Sequence, residues 1–201
     1  MRRLVLAIAL VVPWSMAAAE EISSAYTEIR AEQDCVTYEK AGADDGDFAN
    51  FACPGYRGYP VLMFTGDLRV SMFYGFPPAK LDGVPWQSFG TFNSTGGKIE
   101  WRISSHDGLS VPFATIHRWY VQDEASEAKQ IEVLVVAKVG QPGKADGCAV
   151  GLVLATGKPN ANDLARKIAD EQARDFACGA DERVLIGEPI PEFISVDKTA
   201  N

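Results

Sequence analysis

Two histidines and four cysteines hold most of the chemistry that this chain of 201 residues offers. Ser104-Ser105-His106-Asp107 has the residue types of a hydrolytic triad, but a triad is assembled in space from separated positions. With Gly108 next, the stretch reads as a turn joining two strands. His117 stands near Trp119 in an alternating run and reads as a hydrogen-bonded structural histidine. Two histidines eleven residues apart do not supply the three or four ligands of a zinc site. There is no Gly-x-Ser-x-Gly run, which excludes a nucleophile-elbow hydrolase. Gly96-Gly97-Lys98 lacks the earlier glycine of a phosphate loop and reads as the turn entering the next strand. Asp44, Asp45 and Asp47 crowd one turn, and carboxylates suit a hard cation, but the ligand pattern of a calcium loop is missing, so a solvated hairpin tip is expected. No catalytic residue, metal or cofactor is assigned.

What the cysteines do depends on where the chain goes. Arg2 and Arg3, an apolar run over 4–16 and Ala17-Ala18-Ala19 read as a secretory signal peptide over 1–19. The run is shorter than the roughly 20 apolar residues of a bilayer span, so no membrane span is expected after cleavage. Loss of Arg2 and Arg3 takes the basic count from 19 to 17 against 27 acids, and the net charge from −8 to −10. That balance argues against nucleic acid and anionic lipid as partners. The expected location is periplasmic or secreted. There, four cysteines read as two disulfides, and the thiols drop out as nucleophiles. Segments 35–39 and 48–53 read as a hairpin centred on Asp44. It sets residues whose numbers sum to 88 opposite one another, and so Cys35 opposite Cys53. Cys148 opens a strand over 149–155, followed by a turn and an amphipathic helix over 160–176, capped by Asn160 or Asn162 and ended by Gly179. Such a helix is about as long as the strand, at ~1.5 Å against ~3.3 Å per residue, so it returns Cys178 to Cys148.

The remaining pattern is mostly strand. Segments 61–65 and 68–74 flank Gly66-Asp67, a two-residue hairpin signal. Ile99-Glu100-Trp101-Arg102-Ile103 alternates apolar and charged, as a half-buried strand does. Segment 115–121 alternates more weakly, and 130–139 is the most apolar run and reads as a central strand. Residues 23–34 are ambiguous between helix and strand. The expected fold is therefore α+β: a single domain over 20–188, a mostly antiparallel sheet with one long C-terminal helix packed on it and two disulfides, then an irregular tail over 189–201.

Cys53-Pro54-Gly55-Tyr56-Arg57-Gly58-Tyr59, Phe73-Tyr74-Gly75, Pro112-Phe113-Ala114-Thr115-Ile116-His117-Arg118-Trp119 and Phe176-Ala177-Cys178 together resemble a set of uncharacterised exported proteins of alphaproteobacteria. The resemblance implies a periplasmic location and transfers no activity. One segment stands out as a candidate surface. Residues 75–97 read as a long connection with little regular structure, and loops of this length are usually functional or disordered. Phe76, Trp86, Phe89 and Phe92 argue against disorder and are candidate anchors, joined by Tyr56, Arg57 and Tyr59. The expected function is a non-catalytic periplasmic interaction or ligand-binding protein with a protein or saccharide partner, of basic character if charge guides it. The alternative is a small envelope hydrolase with an unrecognised acid-base pair. That alternative requires a cleft with His106 or His117 beside a carboxylate.

Overall fold

The computed structural model describes residues 20–42, 46–144 and 146–196. The expected signal peptide, the aspartates Asp44 and Asp45, and the end of the tail at 197–201 lie outside the described residues. In chain order the elements are β1 (Glu21–Glu28), α1 (Ala31–Asp34), β2 (Val36–Lys40), β3 (Phe48–Cys53), β4 (Val61–Gly66), β5 (Arg69–Tyr74), β6 (Trp86–Phe89), β7 (Asn93–His106), β8 (Leu109–Asp123), β9 (Ser126–Lys138), β10 (Ala149–Leu154), α2 (Ala161–Gln172), β11 (Val184–Ile186) and β12 (Phe193–Val196). They make a six-stranded sheet in the order β1-β7-β8-β9-β10-β11, a four-stranded sheet β2-β3-β4-β5 and a two-stranded ladder β12-β6. Every pairing is antiparallel except β10 with β11. The α+β reading and both disulfides stand, Cys35 with Cys53 and Cys148 with Cys178.

The six-stranded sheet is the middle of three layers, and β9 shows why. Val133, Val135 and Ala137 point into the core shared with Met63, Met72 and Trp101, while Leu134 and Val136 point into the core under α2. A strand covered on both faces needs apolar residues at every position, so 130–139 reads as one continuous run. Ala161, Ala165, Ile168 and Ala169 form the buried stripe of α2. The helix sits so close to β10 that a Cβ on Gly151 would meet Ile168 Cγ2 at 2.9 Å.

Several expectations are corrected. The helix runs over Ala161–Gln172 and not 160–176. Asn160 makes no side-chain cap, and Gly179 lies beyond the helix end. The stretch from Ala173 to Cys178 leaves the helix, held by Lys138 Nζ donating to the Phe176 carbonyl at 3.0 Å and by the disulfide, whose Cα atoms are 5.9 Å apart. The helix is also not the last element, since β11 and β12 follow it. The tail is irregular only in part: β12 pairs with β6 through Phe193↔Phe89, and Phe193 stacks edge-on against Phe89 at 4.9 Å. Residues 75–97 likewise contain β6 and the start of β7. In the Cys35–Cys53 hairpin the expected register holds at Val36↔Ala52 and Thr37↔Phe51, then slips by one across a bulge at Tyr38. The β4–β5 turn is Asp67-Leu68 and not Gly66-Asp67; both turn residues take positive φ, the paired conformation of a two-residue hairpin. Gly96-Gly97-Lys98 is an irregularity within β7 and not a turn before it. The ambiguous 23–34 segment resolves into β1 followed by the short α1.

Candidate functional site

Neither histidine sits in a cleft. His106 ends β7 at the exposed Asp107-Gly108 hairpin turn, its Nε2 3.0 Å from the neighbouring Asp107 carboxylate. His117 is fully buried in β8. The Tyr74 hydroxyl donates to its Nδ1 at 2.7 Å, and its Nε2–H donates to the Gly96 carbonyl, exposed at the bulge in β7. Burial pushes the imidazole down to about 4, against a smaller upward pull from the Gly96 carbonyl. It is a neutral ring with both nitrogens used, as the structural reading expects.

The residues expected to form one surface separate into five places. Phe89 is fully buried between Trp119 and Phe193, so it cannot touch a partner; the returning β12 covers it. Trp86 packs half-buried on the small core of Leu62, Phe64, Phe73 and Val84. Phe92 is exposed, next to Leu68 and Tyr120. Phe76 and Tyr59 meet edge-on at 5.0 Å, and the Tyr59 hydroxyl donates to Gln141. Tyr56 faces Trp101, with exposed Arg57 over its outer ring face.

A cavity lies elsewhere, between β10–β11 and the returning tail. It is an open groove of about 680 Å³, within the ordinary range of ligand sites. Leu152 and Leu185 are register partners on β10 and β11 and form its floor. Arg183 precedes Leu185 by two residues and shares that face. Ile190, Pro191, Phe193 and Ser195 form the opposite wall, built by the tail as it returns to β6. Gln87 anchors the inner end: its Oε1 accepts from Ala149 N at 2.8 Å and its Nε2 donates to Ser195 Oγ at 3.1 Å. Asp181, Glu182 and Glu192 stand exposed at the rim.

Arg183 is the chemically distinctive group of the groove. Its guanidinium lies over the Phe193 ring at 5.0 Å, and Nη1 donates to the Phe193 carbonyl at 3.2 Å. Among the described residues it has no carboxylate within 4.0 Å, and Nε and Nη2 find no protein acceptor. Burial lowers its pKa from the ordinary arginine value. Of the described arginines only Arg183 and the exposed Arg57 lack an ion pair.

The alternating charges on β7 are buried and do not face water. Glu100 and Arg102 are 6% and 8% exposed, under α2. Arg102 holds Asp170 of α2 through Nε at 2.8 Å and Nη2 at 2.7 Å, and also donates to Ser24 Oγ, which donates to Glu100. Arg166 of α2 holds the same Glu100 from the other side, Nε to Oε1 at 2.7 Å. Burial alone would raise the Glu100 pKa; the bonds from Arg166 and Ser24 and the neighbouring guanidinium charges outweigh it and hold the carboxyl below its usual range. A second, smaller groove runs past Tyr26, Lys98, Arg118 and Arg166, but each of its cations already faces a carboxylate: Glu28, Glu132 or Glu100. No protein-family model, curated protein or solved structure matches this chain, so the geometry of the groove and of the charges stands as the basis for its function.

Proposed function

We propose that the chain is a non-catalytic binding protein of the bacterial envelope, of the exported alphaproteobacterial kind it resembles, and that its ligand seats in the groove between β10–β11 and β12. The observation that carries this reading is a half-buried guanidinium without a carboxylate, lining a cavity of about 680 Å³. A buried charge is ordinarily paired, so a site that leaves one open is suited to a ligand that closes it. Two disulfides fit an oxidising compartment. No helix among the described residues is long and apolar enough to cross a membrane. A hydrolase would use a histidine beside a carboxylate in a cleft; His117 is locked in the core and His106 stands on an exposed turn, which favours binding over turnover.

Isotope-labelled protein mixed with a soluble digest of cell envelope tests the proposal. Amide shifts concentrated at Leu152, 181–186 and 190–195, with the digest recovered chemically unchanged, are expected. Turnover of the digest, or no shifts in those segments, overturns it.

A further inference from the structure

We infer that the groove takes a short peptide bearing a free C-terminal carboxylate and a cationic group, the carboxylate on Arg183 and the cation at the acidic rim. This rests on the binding role proposed for the groove and names its ligand class.

The charges and the polarity of the groove narrow the choice. Arg183 Nε and Nη2 remain to be satisfied, and a carboxylate is the group whose two oxygens match two such donors. The rim carries Asp181, Glu182 and Glu192, three acids against the single Arg183. A simple organic anion would pass this rim against repulsion. A zwitterion would meet attraction at both ends, which favours a peptide over an acyl carboxylate. The lining is also mixed: Leu152, Leu185 and Ile190 alternate with Gln87, Ser195 and the charged residues, whereas an acyl chain gains most from a continuous apolar wall. Finally, β11 ends the six-stranded sheet, and among the described residues its main chain bonds only to β10. Its outer donors and acceptors are free to pair with a peptide main chain, as in strand addition. The smaller groove at Arg166 is a poorer anion receptor because its cations are already neutralised.

The test titrates three probes into labelled protein: the tripeptide Lys-Ala-Leu with a free carboxylate, the same tripeptide as its C-terminal amide, and dodecanoate. The free acid is expected to shift Leu185, Ile190 and Phe193 and to bind at least about ten-fold more tightly than the amide, since charge-assisted bonds are roughly twice as strong as neutral ones. Arg183→Gln should reduce the acid to the affinity of the amide, and Glu182→Gln with Glu192→Gln should weaken both peptides. An unchanged urea midpoint in these variants shows that the fold is intact. Equal binding of acid and amide in the groove overturns carboxylate recognition and leaves the groove reading standing. Stronger binding of dodecanoate than of the free-acid peptide overturns the peptide class in favour of an acyl carboxylate, again at the same groove. Binding by none of the three overturns the inference, whereas the groove reading itself falls only if the envelope digest also moves none of these residues.

Discussion

The six-stranded sheet carries charges on both faces, and the two sets are built in opposite ways. Under α2, Glu100, Arg102, Asp170 and Arg166 form a closed chain in which every carboxylate meets a guanidinium and Ser24 fills the gap between two of them. On the other face, Arg183 is left half-buried with a single carbonyl acceptor. Closed networks fix one geometry, here the seat of the helix on β7, and have no bonding capacity left for a ligand. An open cation keeps that capacity. The contrast separates a structural charge cluster from a candidate site without reference to residue type, since both are arginines on or beside strands.

The largest expected effect breaks the closed network. Arg102→Ala should cost about 3–4 kcal/mol in urea unfolding, because it leaves Asp170 and part of the Glu100 charge uncompensated beneath the helix. Arg102→Met combined with Asp170→Leu should recover most of that loss, as apolar replacements of whole buried pairs do. A single-variant cost under about 1 kcal/mol would mean that water reaches these charges and that the network does not seat the helix.

Next in size is the Cys148–Cys178 bridge, which closes a loop of 30 residues at the inner end of the groove. Replacing both cysteines by Ala should lower stability by roughly 3.5 kcal/mol on chain-entropy grounds. It should also loosen the Arg183 side of the site, seen as faster amide exchange over 176–186 than over β9. Uniform exchange would place the bridge's effect in the unfolded chain alone.

His117 supplies a pH test of a related case, a group that burial holds neutral. Its folded pKa of about 4 lies below the ordinary 6.5. Between those values the unfolded chain binds a proton that the folded chain does not. Stability should therefore fall as pH drops from about 6.5 toward 4, by on the order of 3 kcal/mol in total, and this contribution should level off below that. Glu100 loses its contribution only at lower pH, because its folded pKa is held below the carboxylate range. Denaturation midpoints that stay flat from pH 7 to 5 would show that the ring accepts a proton where it sits.

The sequence makes some of this legible and hides the rest for identifiable reasons. The disulfides are readable because hairpin register and helix-versus-strand length are local geometry. β9 is readable because burial on both faces leaves an unbroken apolar run. The alternation of β7 is visible, but apolar-charged alternation looks the same whether the charged face meets water or a helix; only the spacing of Arg166 and Asp170 along α2, one helical turn apart, hints at partners for Glu100 and Arg102. Phe89 reads as a loop aromatic because its cover, Phe193, comes from a tail whose Pro189 and Pro191 signal irregular chain. Arg183 is invisible for the same reason: its groove exists only once β12 has paired with β6.

The smallest expected stability change is the one that sharpens the comparison most. If Arg183 is an open receptor and not a structural cation, Arg183→Ala should cost less than about 1 kcal/mol, the worth of a single cation–π contact at a partly exposed site. That is several-fold less than for Arg102→Ala, although both remove an arginine side chain on or beside a strand of the same sheet. A loss of 3 kcal/mol or more, approaching the Arg102 value, would mean that Arg183 holds β12 in place through the Phe193 carbonyl and ring. The groove would then be a by-product of that anchor rather than a site kept open for a ligand.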